Sequence, residues 1–416
     1  MTDADAHILA TVRKQFRAAP PTRLGVAVSG GGDSVALLHI LSRCFEPGTV
    51  EVIAATVDHG LRDTKQELAQ VRDFAESLNI QHTVLRWRGW QGAGNLQNEA
   101  RKARYELLAD WAKSQDLCLL ALGHTTDDQA ETVLMRLARS SGVDGIAAMQ
   151  PRRTQFGMTF VRPVMGLGRD ELRAYLQRNN LDWSEDPSNH DMRFDRIKAR
   201  RAMGVLQDMG ITAQTLTDVA HNMSKARQAL EWYSFLAARD VASINGGDVC
   251  IDVRQFRILP EEIARRVLVR AVQWIGGHDY PPRRGAVDIA LRAVRGGTSS
   301  TLGGCRIVFH NQHAWICREY QAVRGEISSP GDTWDTRWRI HGHVAVGDEV
   351  RAVGRAGLGQ CEDWRATGRP QAGLVASPAV WRGQELVAAP LAGMTNGFTA
   401  ELLGGGEEFF ASLLSH

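Results

Sequence analysis

The chain has 416 residues with a formal net charge of +2, and 44% of its residues are hydrophobic. This length allows two or three domains, each with its own core. No apolar run reaches the roughly 18 residues that a membrane span needs, and the first residues carry acids where a secretory signal has basic residues. The sequence therefore predicts no membrane-spanning segment and a protein that stays in the cytoplasm.

The spacing of the cysteines and the distribution of charge indicate which kinds of site and partner the chain could have. The six cysteines include no Cys-x-x-Cys pair, which leaves a zinc ribbon, a redox dithiol and a disulfide framework unsupported. Residues 281–324 contain seven arginines against two acids, whereas residues 325–416 contain seven arginines against eleven acids. A polyanion is therefore expected to meet the middle of the chain.

The first predicted elements alternate between short apolar strands and amphipathic helices. RLGVAVS at residues 23–29 predicts a strand, and Val35, Leu38 and Leu41 follow it at helical spacing. Three further strand–helix units come before residue 140, and this alternation predicts a parallel sheet covered on both faces. We expect a doubly wound α/β domain that a hairpin-like stretch, QFGMTFVRPVMG, and a helix close near residue 190.

The pattern changes after a predicted turn at residues 186–189. Long helices follow and lead into a helical, Arg-rich middle domain, whereas Gly, Trp and short alternating runs predict a small β-rich domain at the end. The predicted domains are residues 1–214, 215–324 and 325–416. The tryptophans of the last domain could stack on unpaired bases or pack in its core; they are Trp334, Trp338, Trp364 and Trp381.

The turn SGGGDS joins the first strand to the following helix. Such a turn directs backbone N–H groups into one concavity at the positive end of a helix, which predicts a phosphate site. An aspartate replaces the lysine of a γ-phosphate-binding loop, and Asp33 can hold Mg²⁺ while the α-phosphate is attacked and pyrophosphate leaves. The alternative is a turn that is merely tight. The predicted ATP-binding residues are Ser29, Gly30, Gly31, Gly32, Asp33 and Ser34.

This turn resembles the loop of the ATP pyrophosphatases, the PP-loop superfamily, which adenylate a carbonyl oxygen and then displace AMP with a nitrogen or sulfur nucleophile. Further motifs are VDHGLR at 57–62, NLQNEARKARY at 95–105, the stretch 123–149 that begins GHTTDDQAET, RPVMGLGRDELRAYL at 162–176 and WSEDPSNHDMRFDR at 183–196. In this order they resemble the tRNA(Ile)-lysidine synthetase family across residues 20–201. The resemblance implies an adenine nucleotide alpha hydrolase-like fold. It also implies a ligase that uses ATP and Mg²⁺.

The resemblance further implies the reaction and its partners. L-Lysine would be joined to C2 of the wobble cytidine of isoleucine tRNA with a CAU anticodon, through an adenylated cytidine, with release of AMP and pyrophosphate. The acids of GHTTDDQAET could cap a helix or receive a cation. The resemblance assigns Asp128 and Glu131 to lysine binding, with Asp128 also helping to deprotonate the amine. His124 is expected to be a structural hydrogen-bond partner, with a direct role as the alternative.

The helix that contains RIKARR is strongly basic, with Arg193, Arg196, Lys198, Arg200 and Arg201 in or just before it. These residues could form a solvated face or contact phosphate of ATP or RNA. The resemblance matches Arg196 to the family's arginine and implies a catalytic role. Ile197 stands where the family usually has Asn, so an amide contact there is not expected.

Two other functions stay open at this point. A PP-loop tRNA thiolase would normally need a Cys-x-x-Cys setting, which the chain lacks. A non-catalytic tRNA- or nucleotide-binding module gives no reason for Asp33, Asp128 and Glu131 to follow strands. The sequence leaves the oligomeric state open, a dimer included, and does not indicate which tRNA arm the last domain would contact.

Overall fold

The computed structural model describes residues 2–16, 20–60, 64–88, 96–185, 195–278 and 280–414. The chain divides into two compact units, Met1–Arg227 and Gln228–His416, with the boundary inside one long helix. The sequence-based domain limits at residues 214 and 324 stay a prediction. The predicted turn at 186–189 and Arg193 lie outside the described residues. Among the helices of the described part, none is long and apolar enough to cross a membrane.

The first unit contains a six-stranded sheet with the strand order β3-β2-β1-β4-β6-β5. All neighbours pair in parallel except β5 and β6, which form the expected hairpin. The strands are β1 (Arg23–Ala27), β2 (Glu51–Asp58), β3 (His82–Arg86), β4 (Leu119–Leu122), β5 (Arg152–Gln155) and β6 (Met158–Val161). The helices are α1 (Asp3–Lys14), α2 (Gly32–Cys44), α3 (Lys65–Ser77), α4 (Leu96–Ser114), α5 (Thr126–Leu137), α6 (Val143–Ile146), α7 (Arg169–Arg178), α8 (Asp195–Gln207) and α9 (Ala213–Val241).

Helices cover both faces of this sheet. Helices α1, α2 and α7 pack in one hydrophobic core, and α4 contributes Tyr105, Leu108 and Trp111 to a second. The predicted doubly wound α/β domain is therefore confirmed. Helix α1 was not predicted, although Ile8 and Val12 lie one helical turn apart and are fully buried.

The second unit contains a five-stranded sheet in a segment that was predicted to be helical. Numbered along the chain as given next, its strands lie in the order β7-β8-β11-β10-β9. Its strands are β7 (Ala242–Asn245), β8 (Asp248–Asp252), β9 (Ser300–Leu302), β10 (Cys305–His310) and β11 (His313–Arg318). The helices of this segment are α10 (Val253–Ile258), α11 (Glu261–Gly276), α12 (Arg284–Gly296) and α13 (Tyr320–Val323). They include α11 and α12, whose buried residues share the main core of the unit with β8, β10 and β11.

The end of the chain is β-rich, as predicted, with two three-stranded sheets of order β12-β13-β17 and β14-β15-β16. The strands are β12 (Thr333–Trp334), β13 (Trp338–His341), β14 (Asp348–Ala352), β15 (Pro378–Arg382), β16 (Glu385–Ala388) and β17 (Thr399–Leu402); short helices are α14 (Gly354–Leu358), α15 (Gln371–Val375) and α16 (Glu407–Ser412). Phe409 and Phe410 of α16 pack in the same core as α11. The chain end therefore helps to complete the core that residues 238–316 begin.

The structure shows the surroundings of the tryptophans and cysteines, whose roles the sequence did not decide. Trp334, Trp338 and Trp381 are buried, and Trp364 packs against a hydrophobic cluster, which supports packing rather than base stacking. All six cysteines are free thiols, and Cys118 is the exposed one. The cysteines therefore serve mainly as packing residues.

Candidate active site

The predicted site residues follow two neighbouring strands. Strand β1 pairs with β2 on one side and with β4 on the other, so the strand order reverses between β1 and β4. Open α/β sheets bind ligands in the crevice at such a switch point, outside the carboxyl ends of the strands. The turn at residues 29–34 follows β1, and the acids of α5 follow β4, so the fold brings both to this crevice.

The glycine turn is held open by a few specific bonds. Gly30 has a φ of +87°, a conformation that glycine adopts without steric cost. The backbone N–H of Ser29 donates to Ser34 Oγ at 3.1 Å, and the N–H groups of Ser34 and Val35 donate to the Gly31 carbonyl. Within the described residues, the N–H groups of residues 30–33 have no backbone or side-chain acceptor. Consecutive free N–H groups at a helix start form an anion site.

Gly123 and Trp183 lie against this turn, and neither residue had a role predicted from the sequence. A Cβ on Gly123 would lie 3.1 Å from backbone atoms of Asp33 and Ser34. A Cβ on Gly32 would lie 3.3 Å from the Trp183 ring, and the next residue, Ser184, donates its N–H to the Gly30 carbonyl at 3.0 Å. Glycine after β4 therefore permits close contact between the two strand ends.

Asp33 lies in the first turn of α2 with 24% of its side chain exposed. Burial, helped by the nearby Asp128 and Asp127 carboxylates and opposed by the Arg169 guanidinium, raises the pKa of its carboxyl to about 6. The group therefore changes charge close to physiological pH.

Asp128 both caps α5 and presents a carboxylate oxygen to a cationic side chain. Its Oδ2 accepts the Thr125 backbone N–H at 2.9 Å, while the Thr125 hydroxyl accepts the N–H of Asp128, so the pair caps α5. The other carboxylate oxygen, Oδ1, lies 3.1 Å from Nη2 of Arg169. Capping therefore leaves one charged oxygen of Asp128 to meet a cation.

Arg169 connects the predicted carboxylates, which we call the acid cluster: Asp33, Asp128 and Glu131. Its Nε lies 3.4 Å from Asp33, its Nη1 3.2 Å from Glu131 and its Nη2 3.1 Å from Asp128. Burial opposes the charge of Arg169, but the three carboxylates outweigh it and raise the guanidinium pKa. Sequence reasoning missed this residue, because only the fold brings α7 to the ends of β1 and β4.

The basic helix α8 presents two of its arginines to the same cluster. Arg196 Nε lies 2.9 Å from Glu131 Oε2, an ion-pair distance without hydrogen-bond alignment, and Nη2 lies 3.7 Å from Asp128. Arg200 Nε donates to Glu131 Oε1 at 2.9 Å. Lys198 and Arg201 face solvent, and Ile197 is buried. Glu131, with 2% of its side chain exposed, is thus compensated by three arginines.

His124 has the surroundings of a structural residue. Its Nδ1 accepts a hydrogen bond from Arg162 Nε at 3.2 Å. Burial, reinforced by four surrounding arginines, lowers the pKa of His124 well below its usual value. The ring is therefore neutral with its Nδ1 in use, which favours the structural interpretation over a direct role.

Within the described part of the chain, no group of three or more His, Cys, Asp or Glu side chains has the arrangement of a metal site. A cation in the crevice would therefore depend on few protein ligands. Mg²⁺ commonly binds in that way, with one or two carboxylates completed by phosphate oxygens and water.

Comparison with known proteins decides the family. A model of the PP-loop domain matches residues 4–206. The tRNA(Ile)-lysidine synthase of Ruegeria pomeroyi is 57% identical over 406 residues, which cover 97% of this chain and 97% of that protein. The chain belongs to the tRNA(Ile)-lysidine synthase family. The family member of Wolbachia pipientis wMel is 34% identical over 328 residues, which cover 76% of each chain. The predicted family and its PP-loop are thus confirmed, and membership makes this chain an enzyme of the ligase class.

Proposed function

We propose that this enzyme joins L-lysine to C2 of the wobble cytidine of isoleucine tRNA with a CAU anticodon. ATP would be consumed to AMP and pyrophosphate, and an adenylated cytidine would be the intermediate. The relatives' name supports tRNA modification of this kind. The location in the cytoplasm is part of the same proposal.

One observation carries the proposal: a single guanidinium, Arg169, contacts both Asp33 on the glycine turn and Glu131 on α5, at 3.4 and 3.2 Å. A phosphate site and a cluster of acids therefore lie within one side chain's reach. The reaction needs this neighbourhood, because the amine must attack a carbon whose oxygen carries the α-phosphate.

The glycine turn fits a triphosphate. The N–H groups of residues 30–33 point to no acceptor within the described part, and the hydroxyls of Ser29 and Ser34 lie beside them. Asp33 would hold Mg²⁺, which when bound would neutralise charge on the phosphates and the departing pyrophosphate. Asp33 must be ionised for this role, so its raised pKa sets a lower pH limit.

The acid cluster fits the ammonium of lysine. Asp128 Oδ1 and Glu131 are directed at guanidinium groups, so a cation already matches their position and charge. The ε-ammonium would pair with Asp128 and Glu131 and share them with the arginines. Asp128 would then accept the proton that the amine must lose before it attacks.

The chemistry balances in two steps. In the first step, O2 of the cytidine attacks the α-phosphorus and pyrophosphate leaves. In the second step, the lysine ε-nitrogen attacks C2, the C2–O2 bond breaks, and AMP departs with O2. Arg196, with 38% of its side chain exposed next to the cluster, would stabilise the charge on the α-phosphate.

The wobble base lies in a single-stranded loop, so its presentation to the crevice needs little unstacking. The arginines of residues 281–324 would hold the tRNA through its phosphates. This contact would make binding strongly dependent on salt.

Mass spectrometry of the tRNA tests the proposal. Isoleucine tRNA incubated with the protein, ATP and lysine should gain the mass of lysine less one water, located at the wobble cytidine after nuclease digestion. Reactions without lysine, and reactions with a methionine tRNA of the same anticodon, should show no gain. A mass change that corresponds to the exchange of one oxygen for sulfur would contradict the proposal, and so would an unchanged tRNA in a reaction where the protein binds ATP.

A further inference from the structure

A second group of charged side chains lies at the same end of the first unit's sheet. Arg162 follows β6 directly, and β6 is the parallel neighbour of β4, so it reaches the edge where His124 follows β4. Arg101 and Arg104 come from the N-terminal half of α4. We call Arg101, Arg104 and Arg162 the arginine cluster.

Contacts show how Arg101 and Arg162 converge on Tyr105, the residue that follows Arg104 on α4. Arg162 Nε donates to His124 Nδ1 at 3.2 Å, and Nη1 donates to the Gln150 carbonyl at 2.5 Å. The Arg101 guanidinium lies over the Tyr105 ring, 5.4 Å from its centroid. Tyr105 packs edge-on against Phe160 of β6, with ring centroids 4.9 Å apart. The ring of Tyr105 thus connects the two sources of the arginine cluster.

Among the residues that the structure describes, no carboxylate compensates the positive charge of the arginine cluster. Arg162 is only 5% exposed, and its partners are the His124 ring, the Gln150 carbonyl and the Tyr105 hydroxyl, none of them a carboxylate. No carboxylate in the described ranges forms an ion pair with Arg101, Arg104 or Arg162. A buried charge without a counter-charge is costly, so such a group is expected where a ligand of opposite charge binds.

The positive potential of the arginine cluster shifts the pKa of the neighbouring Tyr105 and of Arg104 within the cluster. Burial opposes ionisation of Tyr105, yet the guanidiniums of Arg101, Arg162 and Arg104 outweigh it and lower the phenol pKa. Burial lowers the pKa of Arg104 itself, and its arginine neighbours lower it further. The shift of Tyr105, which runs against its burial, marks surroundings that stabilise negative charge.

We propose that Arg101, Arg104 and Arg162 bind a phosphate group, separately from the glycine turn. Arginine forks match phosphate oxygens. Within the described ranges, the side chains of Arg101 and Arg104 donate no hydrogen bond to another residue. The N–H groups of residues 30–33 already offer a site for the triphosphate, so the expected source is a phosphodiester of the RNA next to the reacting base. That choice of source rests on the proposed function, whereas the phosphate chemistry does not.

The test measures binding without turnover. Arg101→Gln and Arg104→Gln remove one charge each, and Lys102→Gln is the matched control, because Lys102 lies between them on α4 and pairs with the exposed Glu106 at 3.7 Å. Dissociation constants for isoleucine tRNA and for ATP are measured with full-length protein in the absence of lysine, over a range of salt. Arg101→Lys keeps the charge, and thermal melting confirms that each variant is folded.

Each arginine variant should bind tRNA about tenfold more weakly, the size expected for one charged hydrogen bond. The slope of log Kd against log salt should fall by about one unit, ATP affinity should be unchanged, and Arg101→Lys should recover most of the binding. Weaker ATP binding with unchanged tRNA binding would support the phosphate site and assign it to the nucleotide. If the arginine variants had the same dissociation constants for tRNA and for ATP as Lys102→Gln, the proposed phosphate site would be overturned. Wild-type protein that binds tRNA yet never modifies it would contradict the proposed function alone.

Discussion

The acid cluster and the arginine cluster lie at the same edge of one sheet, but they differ in whether oppositely charged side chains contact them. Each carboxylate of the acid cluster contacts at least one arginine, and Glu131 contacts three. The arginine cluster, in contrast, has neutral partners among the described residues. Under the two proposals, the acid cluster would share its carboxylates with an incoming cation, whereas the arginine cluster would bind an anion.

The compensation has a clear physical purpose. Three carboxylates so close together would repel one another, and burial would favour their neutral forms. Arg169, at 3.1 to 3.4 Å from all three, keeps negative charge available in the crevice.

The largest effect is expected at Asp33, the carboxylate that joins the acid cluster to the phosphate site. Asp33→Asn keeps the shape and removes the charge, so AMP formation should fall by about 10²- to 10³-fold or more, the loss typical for one pre-organised electrostatic group. Steady-state assays at saturating Mg²⁺ measure this. Asp170→Asn, which changes an exposed acid in the first turn of α7, is the control and should stay within about twofold. Full activity of Asp33→Asn would remove Asp33 from the mechanism.

An intermediate effect is expected at Asp128, where the two substrates should separate. Asn can still accept the Thr125 N–H and cap α5, but it no longer carries the charge that faces the cations. KM for lysine should rise about 10- to 100-fold, the value of a hydrogen bond to a charged group, while KM for ATP changes by less than about threefold. If KM for lysine and KM for ATP rose by the same factor, Asp128 would not act specifically on lysine.

The smallest effect is expected in the pH profile. Asp33 has a raised pKa of about 6, so kcat/KM for ATP should fall as the pH drops through this value and the carboxyl becomes neutral. Arg169→Gln removes a positive charge that favours the ionised form, so the acid limb should move to higher pH. The measurement is kcat/KM from about pH 5 to about pH 8 for both proteins, a range that brackets the pKa of about 6 of Asp33. A limb that stays in place or moves to lower pH would contradict the compensation.

The sequence could predict those parts of the site that are contiguous in the chain. The turn at residues 29–34 and the acids at 128 and 131 are read from spacing after a strand, and the strand–helix alternation predicts the sheet that unites them. Arg169 and Gly123 could not be assigned in that way. Their roles depend on contacts with Asp33, which lies 136 residues from Arg169 in the chain.

The same distinction applies to the fold. Helices α4 and α9 follow from long periodic stretches, and α1 carries a spacing that could have been found. The five-stranded sheet of the second unit was missed because β9 has only three residues and β7 only four, too short for a clear alternation. The packing of Phe409 beside α11 is a long-range contact that local patterns do not contain.

The order of substrate activation is the most direct test of the central claim that the acid cluster receives an ammonium and the nucleobase is activated. Release of pyrophosphate is followed with γ-labelled ATP in reactions that contain either tRNA or lysine. The account predicts at least a single turnover of pyrophosphate with isoleucine tRNA and no lysine, and none with lysine and no tRNA, because the acid cluster attracts an ammonium and repels a carboxylate. Pyrophosphate exchange that depends on lysine but not on RNA would contradict it and place the enzyme among those that activate amino acids.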